Sequence, residues 1–403
     1  MPSTAFIVTS LLLLRSLLIV GIMSLTENQN VVEISYRDLV KISTNDAEHT
    51  TKLEQDLLLK IGQAFGDADE CLGILAVTHV PKLETLRNKL LPMARDLALL
   101  PDEELEKITD KTSGYQVGWS HGREKLEGDT LDLAKGSFYA NPLTDDLLKS
   151  RPNVDPNVAR AHPEFYAPNV WPSSSTALAD FEQTFKELGL LVCHVGRILA
   201  RLCDIYVKSK CEGYQKDKLE QVLTNSMYCK ARLLHYFPTE KTKHGSSSES
   251  MNWCGWHNDH GSLTGLVPAI YLERDGTPVP CPDEQAGLYI KSRTGKLVHV
   301  SLPLGSLGFQ IGETSQIHTG GILQATPHAV RGCIDSDKIS RESFAVFMEP
   351  EMDGDMDLPS GKTVQDVQRS TGHLPLTVKT LKSRWTPGMN FGEFSDATFA
   401  AFY

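Results

Sequence analysis

A chain of 403 residues holds one large domain or two fused ones, and 40% hydrophobic with 23% charged residues is the balance of a globular protein, not a disordered one. The formal net charge of −11, with no dense Lys/Arg run, sets aside nucleic acid and anionic membranes as main partners, because both repel an acidic surface. Eight cysteines without a C-x-x-C pair argue against structural zinc and dithiol chemistry, and fit the reduced thiols of a cytosolic protein.

The first element is an apolar stretch, Ala5 to Met23, interrupted by Arg15. It is long enough to span a membrane, but a charge near its centre is costly there, and the preceding MPST lacks the basic start of a secretory signal. Residues 1–30 are therefore read as an N-terminal extension. It is either dispensable, with Met23 as an alternative start and a cytoplasmic product, or a membrane anchor or organelle-targeting segment. From Val31, VVEISYRDL reads as a short strand and a turn, Thr51 to Asp69 as a helix, CLGILAVTHVP as a buried strand, and Leu83 to Leu99 as a helix. LLPDEELEKI leads into another helix at Pro101 and Asp102. Lys111 to Ser175 lacks periodicity and is rich in Gly, Pro, Asn and Asp, so a long surface excursion is expected. These elements make up an N-terminal domain over 31–175.

Next comes the strongest helical signal. After Ser173, Ser174 and Ser175, apolar residues recur at Leu178, Phe181, Phe185, Leu188, Val192, Val195, Leu199 and Leu202. Steps of three and four make one apolar stripe, the mark of a long helix laid against a core, here over 176–210. From about Ala231 the pattern changes to short strands between Gly/Pro turns: ARLLHYFP, SLTGLVPAIYL, GLYIKS, KLVHVSL, SLGFQIG, the stretch to Thr326, and SFAVFMEP. This second, β-rich part covers 225–350 and suggests a sandwich or barrel, so the fold class is α+β. Residues 351–403 form a C-terminal segment with a helix expected before Trp385.

Within the β region, Trp256-His257-Asn258-Asp259 is the informative run. On a strand, residues i and i+2 share a face, so His257 and Asp259 aim together and Asn258 turns away. His328, in QATPHAV, supplies a third ligand from another strand. Two imidazoles and one carboxylate form the facial triad of non-haem iron(II) oxygenases, which leaves the opposite face of an octahedron open. With 13 histidines in the chain, an H-x-D plus a distant His arises easily by chance, and hydrogen-bonded core histidines are common. His260 has the wrong alternation to join the pair and is read as structural, as are His299 and His318. Arg341 and Ser343 form a second i, i+2 pair, just before the apolar strand Phe344 to Met348. An arginine fork binds a carboxylate through two parallel bonds, and the hydroxyl adds a donor. Downstream of the third ligand, the pair reads as an anion clamp beside the metal.

These residues resemble the isopenicillin N synthase-like group of 2-oxoglutarate- and iron(II)-dependent dioxygenases from Val31 to about Pro350. GILAVTHVP is similar to the family's GFFxVxNHGVP strand and LLPDEELEKI to its FxLPxEEK segment. Gly114-Tyr115, Phe138-Tyr139 and Asn169-Val170-Trp171-Pro172 follow in the family's order. WHNDHGSLTGL, GFQIGETSQIHTGGILQATPHAV and SRESFAVFMEP resemble the H-x-D strand, the approach to the second histidine and the R-x-S clamp. The resemblance implies a double-stranded β-helix (jelly-roll) core with a helical N-terminal domain and a long supporting helix. It implies Fe(II) on His257, Asp259 and His328, and 2-oxoglutarate held by Arg341 and Ser343. O2 would be consumed, succinate and CO2 released, and a small organic substrate hydroxylated or desaturated, with ascorbate a candidate stimulant.

Two departures stand out. Where family members carry N-Y-Y-P, this chain has His235-Tyr236-Phe237-Pro238, so His235 and Phe237 are expected to line the cosubstrate site with altered chemistry. Ala329 replaces the arginine common after the distal histidine. The segment Leu272 to Ala286 is longer than usual and is expected as a loop near the barrel mouth. Tyr289 and Phe309 are candidates for the substrate pocket, each with a core role as its alternative. Two other functions stay open: an iron oxygenase that does not use 2-oxoglutarate, and a non-catalytic β-helix binding protein. Substrate identity and oligomeric state are not legible.

Overall fold

The computed structural model describes residues 26–43, 51–123, 131–173, 177–238, 252–333, 338–368, 374–375 and 377–402. The apolar extension before Thr26 and part of the serine cluster near 175 lie outside the described residues. Among those that are described, no helix is long and apolar enough to cross a membrane.

The first strands are β1 (Thr26–Asn30) and β2 (Val32–Ser35), followed by helices α1 (Tyr36–Ser43) and α2 (Lys52–Phe65). Then come β3 (Ile74–Thr78), α3 (Leu83–Ala98), β4 (Gly118–His121), β5 (Lys135–Ala140), the long α4 (Phe181–Lys210) and α5 (Lys218–Asn225). The β-rich half adds β6 (Cys229–Tyr236), β7 (Asn252–His257), β8 (Leu263–Leu272), β9 (Pro278–Val279), β10 (Gly287–Lys291), β11 (Leu297–Ser301) and β12 (Leu307–Ile311). Helix α6 (Glu313–His318), β13 (His328–Arg331), β14 (Ser340–Met348) and helix α7 (Phe391–Phe402) follow, with short helical segments between the named elements at Asp102–Lys107, where the sequence predicts one, and at Leu147–Ser150, Pro156–Ala161, Pro163–Tyr166, Val364–Val367 and Leu381–Ser383.

The strands form two sheets. The larger runs β2-β3-β12-β8-β14-β6-β5-β4, with β9 paired to β8, and the smaller runs β1-β11-β10-β13-β7. Pairing is antiparallel except for β2 with β3 and β1 with β11. On β14, Phe344, Val346 and Met348 join the core beneath α4. The stripe from Leu178 to Leu202 is buried throughout, as its spacing predicts. Close approach of α4 depends on Gly265 of β8, where a Cβ would sit 2.2 Å from Val192 Cγ1. The other face of the large sheet meets the small sheet. Ile74 and Ala76 pack there with Ile290, Val298 and Val300, with Leu266 and Leu288 at the border.

Several expectations are revised. The first 175 residues are not only helical, because they contribute β2, β3, β4 and β5 to the large sheet. β5 is buried along its whole length inside the expected surface excursion. Its apolar residues Phe138 and Ala140 face α4, while Lys135, Ser137 and Tyr139 alternate onto the other side, so polar residues on an internal face hide the burial from a hydrophobicity reading. The stretch before Thr326 contains α6, not a strand. VVEISYRDL continues into α1 instead of turning. Pro278 and Val279 in the long 272–286 segment add a short strand to β8. Before Trp385 the C-terminal segment does turn helical, at Val364–Val367 and again at Leu381–Ser383, and α7 follows it; Trp385, Phe391 and Phe394 pack against Ile317 of α6.

Candidate metal centre

His257 closes β7 and pairs directly with His328, which opens β13. On its other side His328 pairs with Ile290 of β10. Ile290 packs between the sheets, so pleat alternation turns both imidazoles into the same space. Asp259 lies just past the end of β7 rather than on it. Its backbone is pinned where β12 turns into α6, the Glu313 N–H donating to the Asp259 carbonyl at 2.8 Å. Gly312 allows that approach, since a Cβ there would lie 2.0 Å from the Gly261 carbonyl. Asn258 turns away, as alternation predicts, and donates to Glu313 Oε1 at 3.1 Å.

The geometry is that of a compact three-donor cluster. Asp259 Oδ1 is 3.7 Å from His257 Nε2 and 3.7 Å from His328 Nε2. One ligand atom from each residue fits within 4.8 Å of the others. His257 Nδ1 meets the Gly255 carbonyl at 2.8 Å, and His328 Nδ1 meets the Thr326 carbonyl at 3.3 Å. A carbonyl only accepts, so each Nδ1 carries a hydrogen, which leaves Nε2 as the nitrogen that faces Asp259 and can ligate once it is unprotonated. Asp259 Oδ2 is buried with no hydrogen-bond partner among the described residues, an arrangement costly without a cation. Two imidazole nitrogens and a carboxylate are a donor set that suits iron, once His257 gives up its proton.

The electrostatics separate the two imidazoles. Burial, with His257 nearby, pushes His328 down to about 4, so it stays neutral. Burial also acts to lower His257, but the Cys254 sulfur, 3.8 Å from Nδ1 and itself, against its burial, drawn down to about 7 as a thiolate by His257, together with Asp259 lifts it to about 9. Burial opposes ionisation of Asp259, yet His328 and His257 hold it below the usual carboxylate range. His260 takes the structural role expected of it: it is stacked on Phe391, lies 3.6 Å from Glu349, and is kept neutral by burial at about 4. His318 bonds the Asp355 carbonyl and His299 the Ala286 carbonyl.

Arg341 and Ser343 face the same inter-sheet space from β14. Arg341 Nη1 donates to Ser343 Oγ at 3.3 Å, and its guanidinium lies 5.0 Å from the Tyr236 ring and 6.0 Å from that of Trp253. Arg341 Nε has no partner among the described residues. His235 and Phe237 are not brought to this clamp. The register sets Tyr236 opposite Arg341 and His235 opposite Glu342, and one residue along a strand reverses the face. His235 Nδ1 pairs with Glu342 at 2.9 Å beneath the sheet, and the Phe237 ring packs 4.5 Å from that of His235. Tyr236 is the clamp neighbour that sequence reasoning missed; pairing β6 against the R-x-S strand by alternation would have found it.

The two pocket candidates also point elsewhere. Tyr289 pairs with Ala329, on the face opposite His328, bonds the Gln285 carbonyl at 2.6 Å, and stacks on His299. Phe309 is buried opposite Gly265 under α4. A further missed feature buttresses the centre: Arg384 Nη2 meets Glu313 Oε1 at 2.7 Å with both side chains buried, so the C-terminal segment is tied through Glu313 to Asn258. Nothing in the sequence around Arg384 signals that contact.

No protein-family model and no curated protein matches the sequence. Solved structures do. A 2OG-Fe(II) oxygenase family protein from Caulobacter crescentus superposes with a TM-score of 0.61 at 20% identity, over 93% of this chain and 99% of its own. The fold is that of the 2OG-Fe(II) oxygenases. A full-length Neurospora crassa protein of this fold, in complex with alpha-ketoglutarate and thymine, gives 0.61 at 17% identity over 92% and 96% of the two chains. JOX2, in complex with 2OG, Fe and JA, gives 0.54 at 16% identity over 91% and 84%.

Proposed function

We propose that this chain is a 2-oxoglutarate-dependent oxygenase acting on a small organic molecule. The observation that carries the reading is the shared location of two constellations. A His-Asp-His cluster, with Asp259 and His328 buried and His257 partly exposed, and an arginine-serine pair face one another's side of a single inter-sheet space. In this reading the two sheets are the walls of a double-stranded β-helix, or jelly roll. Residues 225–350 carry the catalytic unit, the helix within 176–210 braces it, and 31–175 and 351–403 enclose it.

His257, Asp259 and His328 would hold Fe(II). Bound there with 2-oxoglutarate, iron supplies O2 activation coupled to decarboxylation of the oxo acid to succinate and CO2. The protein's own groups do the remaining work. The Gly255 and Thr326 carbonyls keep each imidazole in the ligating tautomer. Arg341 receives the distal carboxylate of 2-oxoglutarate, and Ser343 both orients the guanidinium and adds a hydroxyl donor. Tyr236 and Trp253 cover the guanidinium, exclude water and strengthen the charge-assisted bonds. The oxygenases of this fold that bind alpha-ketoglutarate with thymine, or 2OG with iron and JA, support both the cosubstrate and the small-substrate class.

Anaerobic equilibrium titration with Fe(II) and 2-oxoglutarate tests the reading. Wild type is expected to bind 2-oxoglutarate only with metal, and His257→Ala to lose both. Metal-independent binding, or none, would overturn it.

A further inference from the structure

The inner face of the large sheet carries a second arginine that neither constellation uses. On β6, Arg232, Leu234 and Tyr236 alternate onto the side of Arg341, Ser343 and Ala345. Arg232 pairs with Ala345 on β14 and with Tyr139 on β5. Ala345 in turn pairs with Leu266, whose side chain borders the cluster between the sheets. The Arg232 side chain therefore starts from the same inter-sheet space as the clamp and the His-Asp-His cluster.

Its position along the strands separates it from the clamp. Ser262 N–H donates to the Met348 carbonyl at 3.0 Å, so the loop carrying Asp259 sits at the Met348 end of β14. Arg341 stands at the other end. Ala345, and Arg232 across from it, lie between the two, roughly 13 Å along the strand from Arg341 at about 3.4 Å per residue. A cosubstrate reaching from the His-Asp-His cluster to Arg341 would leave Arg232 beside it, one strand over. The fork is also held in direction. Ser137 Oγ accepts from Arg232 Nε at 3.0 Å and from Nη2 at 2.8 Å, and the Tyr139 ring lies 5.0 Å from the guanidinium carbon.

We propose that Arg232, oriented by Ser137 and Tyr139, binds a carboxylate of the oxidised substrate, so that this enzyme acts on a small organic acid. A planar, pre-oriented guanidinium matches a carboxylate, and both carboxylates of 2-oxoglutarate are already met by Arg341 and the metal. The inference rests on the oxygenase reading above. It deepens that reading by naming the substrate's anchor.

The test is calorimetric binding under argon to the full chain loaded with Mn(II) in place of Fe(II). The first titration uses 2-oxoglutarate; if it does not bind, the oxygenase reading fails, and that failure is seen before any substrate is added. With 2-oxoglutarate bound, phenylacetate, cinnamate and decanoate are titrated, each beside its primary amide and its sulfonate analogue. At least one acid is expected to bind wild type, about tenfold or more tighter than its amide, the scale of one charge-assisted pair. Arg232→Leu should remove that discrimination by weakening the acid and sparing the amide. Arg232→Lys should restore part of it, and neither variant should change 2-oxoglutarate affinity. Should Arg232→Leu not fold by circular dichroism, Arg232→Gln provides the same comparison. The proposal is overturned if no acid binds wild type, if acids and amides bind alike, if sulfonates are preferred, if the neutral variants keep acid affinity, or if they lose 2-oxoglutarate.

Discussion

The Arg384–Glu313 pair gives the sharpest test of how the C-terminal segment supports the centre. Both side chains are almost wholly buried, and Glu313 Oε1 also accepts from Asn258, which sits between two of the cluster residues. Arg384→Met keeps the bulk but leaves Glu313 as a buried, uncompensated carboxylate. Breaking one side of such a pair costs about 3–5 kcal/mol. With an unfolding entropy of about 2.1 cal/mol/K per residue, a chain of 403 residues would lose about 4–6 °C in Tm. Burial already raises Glu313 above its ordinary value of 4.5, with Arg384 acting against it. Without Arg384 the folded-state pKa rises further above the unfolded one. The penalty is then absent below about pH 4.5 and grows as pH climbs through the folded value. The deficit of the variant relative to wild type should therefore narrow at low pH and widen toward neutrality. Adding Glu313→Gln, which keeps an acceptor for Asn258 but removes the charge, should recover much of the loss. Urea and thermal unfolding of the three proteins across pH 4.5–8 measure this. A single-variant cost under about 1 kcal/mol, or a double variant no better than the single, would refute the reasoning.

Other outcomes follow from the centre itself. His328→Ala should abolish the metal-dependent rise in unfolding free energy, which for wild type at a hundredfold excess over Kd is about 2.7 kcal/mol; an unchanged rise would remove His328 from the ligand set. Arg341→Leu should weaken 2-oxoglutarate by about 10- to 100-fold, from the loss of charge-assisted bonds worth about 1.5–3 kcal/mol, while metal affinity measured without cosubstrate stays constant. Because His257 is raised to about 9 without metal, metal must displace a proton. Apparent affinity should climb with pH from 7 toward 9, and calorimetry in buffers of different ionisation enthalpy should show net proton release, partly taken up by the Cys254 sulfur beside His257; a pH-independent affinity would contradict this. Phe237→Tyr should leave 2-oxoglutarate affinity within twofold, since its ring meets that of His235 edge-on, on the side away from Arg341; a large gain would contradict the register.

The sequence by itself determined the long α4 helix, most of the β-rich half, and the convergence of His257, Asp259 and His328. These are features of local period and residue type: a stripe of threes and fours, short strands between Gly/Pro turns, and an H-x-D run whose spacing aims two side chains together. It also made the Arg341–Ser343 pair legible, because both residues lie on one face of one strand. What it misjudged all depends on which strand lies beside which. β5 looked like loop because its polar residues face an internal space. His235 and Phe237 matched a motif but fall on the other side of the pleat from Arg341, while Tyr236 takes the clamp side. Phe309 and Tyr289 are aromatic and buried, and only the packing of α4 and the pairing of β10 show that they face away from the cluster. The Arg384–Glu313 contact joins segments far apart in the chain. A strand's own sequence sets its alternation but not its absolute face, which is decided by register against its neighbours, and only the tertiary structure carries that register.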